Sequence, residues 1–186
     1  ADDNASGVSA AMEAARLLKE STTRKRLKKD IIFAAFGAEE KGTIGSAMLA
    51  DTLEKMGSLP SLMINLDMVG RLRDSVLQLG GTGTFQSADS LIDAQLDPTL
   101  PLVLKKSESG YGPSDHHVFY RSQVPVLFFS TPPHQDYHTP FDTPDKINYP
   151  GMAAIVTCVT DVARAVVVDG FEPLYRETID TGSLPE

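Results

Sequence analysis

The chain has 186 residues, of which 41% are hydrophobic and 23% are charged, a balance typical of one globular domain with a sizeable core. Its net charge of −8 argues against nucleic acid as a partner, because binding to phosphates requires a basic surface. Uninterrupted apolar runs stay well short of the roughly 18 residues that a membrane span needs, so no span is expected. The single cysteine, Cys158, excludes a disulfide within the chain.

Apolar runs alternate with segments of helical spacing along the chain. In chain order, we predict a helix at 4–19, a strand at 31–36, a helix at 44–56, strands at 61–70 and 75–81, a helix at 85–96, strands at 100–106 and 124–130, and a helix at 147–168. The strands show no polar alternation, which is typical of a sheet buried on both faces. We therefore predict an α/β fold with three layers, α-β-α, around a mostly parallel central sheet.

The two ends of the chain are expected to differ from the domain between them. Residues 1–170 are predicted to form one folded unit, and residues 171–186 a polar tail or linker. The sequence starts at Ala1 with neither a methionine nor a signal-peptide pattern. We therefore expect that this sequence begins partway along a longer polypeptide.

Acidic residues follow two of the predicted strands, at the sheet edge where ligands bind in such folds. Glu39 and Glu40 lie in the stretch FGAEEKGTIGS after strand 31–36, and Asp67 lies near the end of run 61–70. Adjacent side chains of an extended chain point to opposite sides, so the two glutamates can serve separate roles. The competing interpretation is that both are solvated in the first turn of the next helix, where acids are common.

The segment STPPHQDYHTPFDTPDKINY, after the last predicted strand, contains His134 and His138. Its prolines argue against a helix, so the two histidines are not predicted to act as a helical metal-binding pair. One histidine in a rigid loop at a strand end is the better candidate ligand, with Asp142 and Thr139 to orient its imidazole. A histidine that is merely exposed to solvent is the competing interpretation.

Acidic groups at several strand ends repel one another unless a cation neutralises them. Oxygen and imidazole ligands without thiolate suit a borderline divalent metal, and a hydrolytic zinc site fits best. A neighbouring glutamate outside the ligand set can then accept a proton from the attacking water. The pattern therefore predicts a metal-dependent hydrolase in which one glutamate holds the metal and the other handles protons.

Several blocks of the sequence resemble, in the same order, those of the zinc aminopeptidases typified by bacterial leucyl aminopeptidase and glutamate carboxypeptidase. The blocks are ADDNASG, FAAFGAEEKGTIGS, INLDMVGR, GYGPSDHHVF and DYHTPFDTPDKINY, and they cover residues 1 to about 168. The resemblance implies the zinc-peptidase fold and an exopeptidase, with aminopeptidase favoured over carboxypeptidase, that hydrolyses peptide bonds with zinc-activated water.

The resemblance also implies a set of metal ligands. Asp2 matches the carboxylate that bridges two zinc ions, Glu40 and His138 complete the site of one zinc, and Asp67 matches a ligand of the second. The glycine in ADDNASG is expected to let the first helix pack closely behind the metal-bearing loop.

Two catalytic residues follow from the same resemblance. Glu39 matches the general base, and Tyr111 matches a tyrosine that stabilises the oxyanion of the tetrahedral intermediate. The peptide bond between Asp2 and Asp3 is expected to be cis, as it often is in the family.

The family's remaining ligand, a histidine in a His-x-Asp motif, precedes the block that here begins at Ala1. The resemblance therefore implies two zinc ions in the intact protein and one or none in this chain. We expect the chain to be the C-terminal part of a catalytic domain, inactive or impaired without an upstream segment of the same polypeptide. By analogy, we expect a peptide substrate and a periplasmic or extracellular location.

Other functions stay open at this point. Relatives with this fold include non-catalytic binding modules, such as the transferrin receptor ectodomain, and one-zinc transferases, such as glutaminyl cyclase. A serine hydrolase built on Ser114 is disfavoured, because the Gly-x-Ser-x-Gly elbow is missing. We expect His116 to be structural and His117 to be exposed.

Overall fold

Helices cover both faces of a four-stranded sheet in the computed structural model of the chain, which describes residues 1–22 and 27–178. The helices are α1 (Gly7–Thr22), α2 (Ile44–Lys55), α3 (Ala88–Gln95), α4 (His116–Arg121) and α5 (Tyr149–Arg164). The strands are β1 (Met63–Leu66), β2 (Val76–Gly80), β3 (Val103–Lys106) and β4 (Val126–Ser130). Each of these elements except α4 lies within or close to a segment predicted from the sequence; α4 was not predicted.

The strands follow the order β1-β4-β2-β3 across the sheet. β1 pairs with β4 in parallel and β2 pairs with β3 in parallel, whereas β2 and β4 are antiparallel. The predicted α/β fold with a mostly parallel sheet is therefore confirmed. Because β1 and β4 run in the same direction, the residues after Leu66 and after Ser130 emerge at one edge of the sheet. The backbone N–H of Thr131 donates to the carbonyl of Met68 at that edge, at 2.8 Å.

The three layers follow from alternation along the strands. Leu127 and Phe129 of β4 face a large core formed with α1, α3 and α5, whereas Val126 faces a smaller core formed with α2 and α4. Gly7 allows α1 to start close behind β1, since a Cβ there would collide with the carbonyl oxygen of Leu66. The expected close packing of the first helix is therefore present.

The helical stretch Tyr149–Asp169 is long and apolar enough to cross a membrane by length and composition, with a mean hydropathy of 1.8 over its most apolar window. Polar residues such as Asp161 and Arg164 divide this stretch into short apolar runs, so a search for one uninterrupted apolar run does not find it. Of that window, 67% is buried inside the domain, where Ile155 and Val162 are fully enclosed. Packing in the core accounts for its apolar composition.

The predicted strand at 31–36 is wrong. Its residues pair with none of the four strands of the described sheet, and Ile32 and Phe33 are 59% and 48% exposed. The apolar run has the composition of a buried strand, but a strand also needs a hydrogen-bonding neighbour. Among the residues that the structure describes, nothing occupies that place.

Part of the predicted tail at 171–186 lies against the domain. The ring of Phe171 packs on Phe85 with centroids 6.2 Å apart, and the backbone N–H of Arg176 donates to the carbonyl of Thr84 at 2.7 Å. Residues 171–178 therefore belong to the folded unit. Residues 179–186 lie outside the described part of the chain.

Candidate metal centre

Asp3, Glu40 and His138 meet at the sheet edge from three distant segments of the chain. His138 Nε2 lies 2.8 Å from Glu40 Oε1 and 3.1 Å from Asp3 Oδ2. One ligand atom from each residue falls within 4.8 Å of the other two. Two carboxylate oxygens and one imidazole nitrogen form a donor set that suits zinc. All three side chains are at least partly exposed, so a substrate can approach them.

The structure places Asp3, and not the predicted Asp2, in this cluster. Asp2 is completely buried, and its Oδ1 accepts a 2.6 Å hydrogen bond from the backbone N–H of Gly70. Its Oδ2 lies 3.2 Å from Nε2 of His134. The carboxylate of Asp2 thus holds the loop after β1, while that of Asp3 turns toward Glu40 and His138. The cis peptide also lies one position later than expected, between Asp3 and Asn4.

Asp67 follows β1 directly and presents a carboxylate that is only half satisfied. Its Oδ2 accepts a 2.8 Å hydrogen bond from the Ser114 hydroxyl, whereas its buried Oδ1 has no partner among the described residues. Burial raises the pKa of Asp67, although the hydrogen bond from Ser114 lowers it. A buried oxygen left without a donor is costly, and a bound cation would satisfy it.

Glu39 and Glu40 sit on a short turn, Glu39–Lys41, flanked by Ala38 and Gly42 in the left-handed region. Burial raises the pKa of Glu39 to about 7, and the charges of the nearby acidic side chains add to this effect. Those side chains are Asp115, Asp67, Glu40 and Asp3. A carboxyl group with a pKa near neutrality is well placed to exchange protons with water.

The electrostatics of the whole centre favour a cation. Burial raises the pKa values of Asp3, Asp67 and Asp115, and neighbouring negative charges raise those of Asp3 and Asp67 further. Several carboxylates therefore lie close together without enough positive charge between them. Together with the unpartnered Oδ1 of Asp67, this arrangement fits the zinc that the sequence predicts.

A tyrosine that was not predicted, Tyr137, lies against the cluster. The ring of Tyr111 packs on Tyr120 and His117, at centroid distances of 4.9 and 5.4 Å. The ring of Tyr137 stacks on the imidazole of His138 at 3.7 Å. Burial and the acidic side chains of the centre raise the pKa of Tyr137. Sequence reasoning missed Tyr137, although its position next to a candidate ligand in DYHTP was a usable signal.

The other histidines lie outside the cluster. His134 is buried behind it, against Asp2. His116 is buried and stacks on Phe128 at 4.3 Å, and burial lowers its pKa to about 3, as suits a structural residue. His117 is partly buried rather than exposed, because its ring lies against Tyr111.

Ser114 is engaged in holding other polar groups. Its hydroxyl donates to Asp67 at 2.8 Å and accepts from the Asn65 amide at 2.7 Å. Both bonds fix the residues at the end of β1, so the Ser114 hydroxyl has a structural role here.

Asp142 and Thr139 do not orient the His138 imidazole as predicted. One carboxylate oxygen of Asp142 accepts from the backbone N–H groups of Asp2 and Asp3, at 2.7 and 3.1 Å. The Thr139 hydroxyl donates to a backbone carbonyl within its own loop, at 2.7 Å. Asp142 therefore acts on the segment that carries Asp3.

Known proteins resemble this chain in both sequence and fold. Residues 1–163 match the family described as peptidase family M28. The aminopeptidase YwaD of Bacillus subtilis is 32% identical over 160 residues, which cover 80% of this chain and 33% of that protein. A zinc aminopeptidase structure from Bacillus subtilis superposes with a TM-score of 0.75 at 26% identity, covering 95% of this chain and 45% of the other.

A further structure shows the fold alone. The LapA aminopeptidase of Legionella pneumophila superposes with a TM-score of 0.79 at 24% identity, covering 90% of this chain and 47% of the other. The chain thus spans a third of the length of YwaD and less than half of each of these two structures. The family match covers most of the sequence, and the zinc aminopeptidase structure from Bacillus subtilis shares the fold of this chain. The chain belongs to peptidase family M28.

Proposed function

We propose that the chain carries the greater part of the active site of a zinc-dependent aminopeptidase. The observation that carries this proposal is the convergence of Asp3, Glu40 and His138, which come from the start, the first third and the last third of the sequence. The names of its relatives, which include aminopeptidases and a zinc aminopeptidase, support the same activity.

The residues that would hold zinc are Asp3, Glu40 and His138, with Asp67 available for a second ion. Zinc bound there would supply Lewis-acid polarisation of a peptide carbonyl and would make a water molecule more acidic. The unpartnered Oδ1 of Asp67 supports a second position, as does its raised pKa. Asp3 would serve both positions, because its carboxylate lies beside His138 and its charge also raises the pKa of Asp67.

Glu39 is proposed as the general base. It would accept a proton from the attacking water, whose oxygen bonds to the carbonyl carbon, and would deliver that proton to the leaving amine as the C–N bond breaks. Burial is the largest cause of its raised pKa and supports a role in proton exchange. Glu40 Oε1 lies 2.8 Å from His138 Nε2, within the proposed ligand set, so the two glutamates have separate roles.

Two phenols are candidates for stabilising the oxyanion. Tyr111 is the candidate by sequence resemblance, and Tyr137 is the candidate by its position over the imidazole of His138. A donor acts only if it reaches the oxygen on which charge develops. Substitution of each tyrosine by phenylalanine therefore separates the two.

The substrate is proposed to be a peptide with a free amino terminus. The carboxylate of Glu40 is exposed, those of Asp3 and Glu39 are partly exposed, and the chain carries a net charge of −8, so a positively charged α-amino group is attracted to the site. Relatives named as aminopeptidases support this choice over a carboxypeptidase.

We also propose that a further segment of the polypeptide, carrying the histidine of a His-x-Asp motif, completes the second zinc position. The run 31–36 supports this, since it exposes the apolar side chains of Ile32 and Phe33 and lacks a strand partner within the described residues. The relatives are also much longer than this chain, since the matches cover 33% of YwaD and 47% of LapA. The proposed occupant of this edge is the upstream segment of the same polypeptide. Export to the periplasm or the medium is proposed by the same analogy, and fractionation of cells tests it.

The central experiment measures hydrolysis of an aminoacyl chromogenic substrate with and without zinc. It is run on the 186-residue chain alone and on the chain co-expressed with the upstream part of the domain. We expect turnover that depends on zinc and on the upstream part, and none with the N-acetylated substrate. Full activity of the chain alone would contradict the need for an upstream segment.

The same preparation distinguishes the alternatives. Zinc binding with no release of amino acid from any peptide would favour a binding module. Cyclisation of peptides that begin with glutamine, without hydrolysis, would favour a transferase. Failure of the completed protein to bind zinc would refute the metal centre itself.

A further inference from the structure

Asp142 connects two of the three segments that form the metal centre. It lies on the loop after β4, four positions beyond His138, and its side chain is only 6% exposed. Its Oδ2 accepts from the backbone N–H of Asp2 at 2.7 Å and from that of Asp3 at 3.1 Å. The loop that carries His138 is therefore hydrogen-bonded to the backbone of Asp3, another candidate ligand.

The second oxygen of Asp142 is held by Arg71, on the segment after β1. The Arg71 guanidinium donates to Asp142 Oδ1 at 2.8 Å, and its own side chain is 10% exposed. Each oxygen of Asp142 thus has its own donors. Oδ2 accepts from the backbone N–H groups of residues 2 and 3 and from the amino group of Ala1, and Oδ1 accepts from the Arg71 guanidinium. A buried carboxylate with both oxygens occupied has little freedom to move.

We propose that Asp142, oriented by Arg71, is a positioning residue that sets the carboxylate of Asp3 for metal binding. Zinc ligands must lie within a few tenths of an ångström of their required distances, so the backbone that carries them has to be fixed. Asp142 supplies that restraint through its hydrogen bonds to the backbone N–H groups of Asp2 and Asp3. This inference rests on the proposed metal centre and adds a residue to which no metal contact is assigned.

The Asp142→Asn variant removes the restraint at nearly constant shape. An amide has one acceptor oxygen and one donor nitrogen, so it cannot accept from Arg71 and from the backbone of residues 2 and 3 together. Loss of an interaction that orients a metal ligand typically weakens metal binding by about 10- to 100-fold. We expect the zinc dissociation constant of Asp142→Asn to rise by that factor.

Asp136→Asn is a matched control. Asp136 is also an aspartate of the same loop and also pairs with Arg71, at 3.4 Å, and with Lys146, at 2.8 Å. Its recorded side-chain contacts are to those two cations, so its loss leaves the hydrogen bonds to residues 2 and 3 in place. We expect its zinc affinity to stay within about threefold of that of the unmodified protein, well inside the effect of losing a positioning contact.

The experiment uses the longest natural polypeptide that contains this chain and measures zinc affinity by competition with a chromogenic chelator. Cobalt-substituted protein is compared at saturation, because visible bands of cobalt report ligand geometry and not global stability. We expect altered bands in Asp142→Asn and unaltered bands in Asp136→Asn. If Asp142→Asn fails to fold, Arg71→Met is measured instead. The Arg71→Met variant keeps the hydrogen bonds of Asp142 to residues 2 and 3 but removes the guanidinium that orients Asp142. We expect it to weaken zinc binding several-fold.

Each outcome has one meaning. Zinc binding by the unmodified protein with unchanged affinity and cobalt bands in Asp142→Asn would overturn this inference and leave the proposed function standing. A loss of thermal stability in the metal-free variant with normal zinc affinity would also overturn it, as a purely structural role. Absence of zinc binding in the unmodified protein would overturn the proposed function, and this inference with it.

Discussion

Neighbouring glutamates with the same chemistry should respond in opposite ways to the same substitution. Glu40→Gln replaces one carboxylate of the three-residue set, whose ligand atoms lie within 4.8 Å of one another, by a neutral amide that is a weaker zinc ligand. Glu39→Gln removes a carboxyl group whose pKa of about 7 suits proton transfer but which lies outside that three-residue set. We therefore expect Glu40→Gln to lose metal and Glu39→Gln to keep metal but lose turnover.

The size of each effect follows from the role assigned. A general base commonly contributes about 10²- to 10⁴-fold to the rate, so Glu39→Gln should lower kcat by that factor, or about 3–5 kcal/mol in activation free energy. Residues that merely orient a ligand are worth up to about 100-fold in affinity. Loss of the Glu40 ligand should therefore raise the zinc dissociation constant by at least about 100-fold, or about 2.7 kcal/mol.

The assay pairs zinc content after dialysis with kcat at saturating zinc. Glu54→Gln serves as a control, because Glu54 is exposed on α2 and outside the metal centre. Equal loss of zinc in Glu39→Gln and Glu40→Gln would refute the division of labour. Turnover by Glu39→Gln within about tenfold of the unmodified protein would refute its role as base.

The remaining predictions concern the phenols, the core and the metal. If Tyr137 stabilises the oxyanion, Tyr137→Phe should lower kcat by about 100-fold while Tyr111→Phe has little effect, and the reverse result would favour Tyr111. Burial lowers the pKa of His116 from 6.5 to about 3. As the pH falls below about 6.5, the histidine therefore becomes protonated in the unfolded state before it does in the folded state, and the free energy of unfolding decreases. His116→Phe, which keeps a ring against Phe128, should remove about 2 kcal/mol of the loss between pH 7 and pH 5 in urea titrations, and an unchanged slope would contradict a neutral buried imidazole. Zinc at 100 times its dissociation constant should stabilise the protein by about 2.7 kcal/mol, reversed by a chelator, and a melting temperature indifferent to zinc would argue against a preformed site.

Most of the architecture could be predicted from local sequence. The runs that became β2 and β4, and the spacing that became α2 and α5, indicate their structures because apolar residues must be buried on a regular face. The same reasoning predicted a strand at 31–36, and that prediction was wrong. It has the apolar content of a strand, but a strand exists only where a neighbour supplies hydrogen bonds, and that neighbour is not among the described residues.

For the candidate site, sequence alone determined which chemistry was present: adjacent glutamates, acids at strand ends and a histidine in a proline-framed loop. It could not decide between Asp2 and Asp3. Both are aspartates, and the choice depends on which carboxylate the backbone N–H of Gly70 captures from a segment 68 residues away. Tyr137 and Asp142 gained their places in the same way, by stacking on His138 and by binding the backbone of Asp3. Residue type sets what a side chain can do, but long-range hydrogen bonds and packing set where it points, and only the tertiary structure contains them.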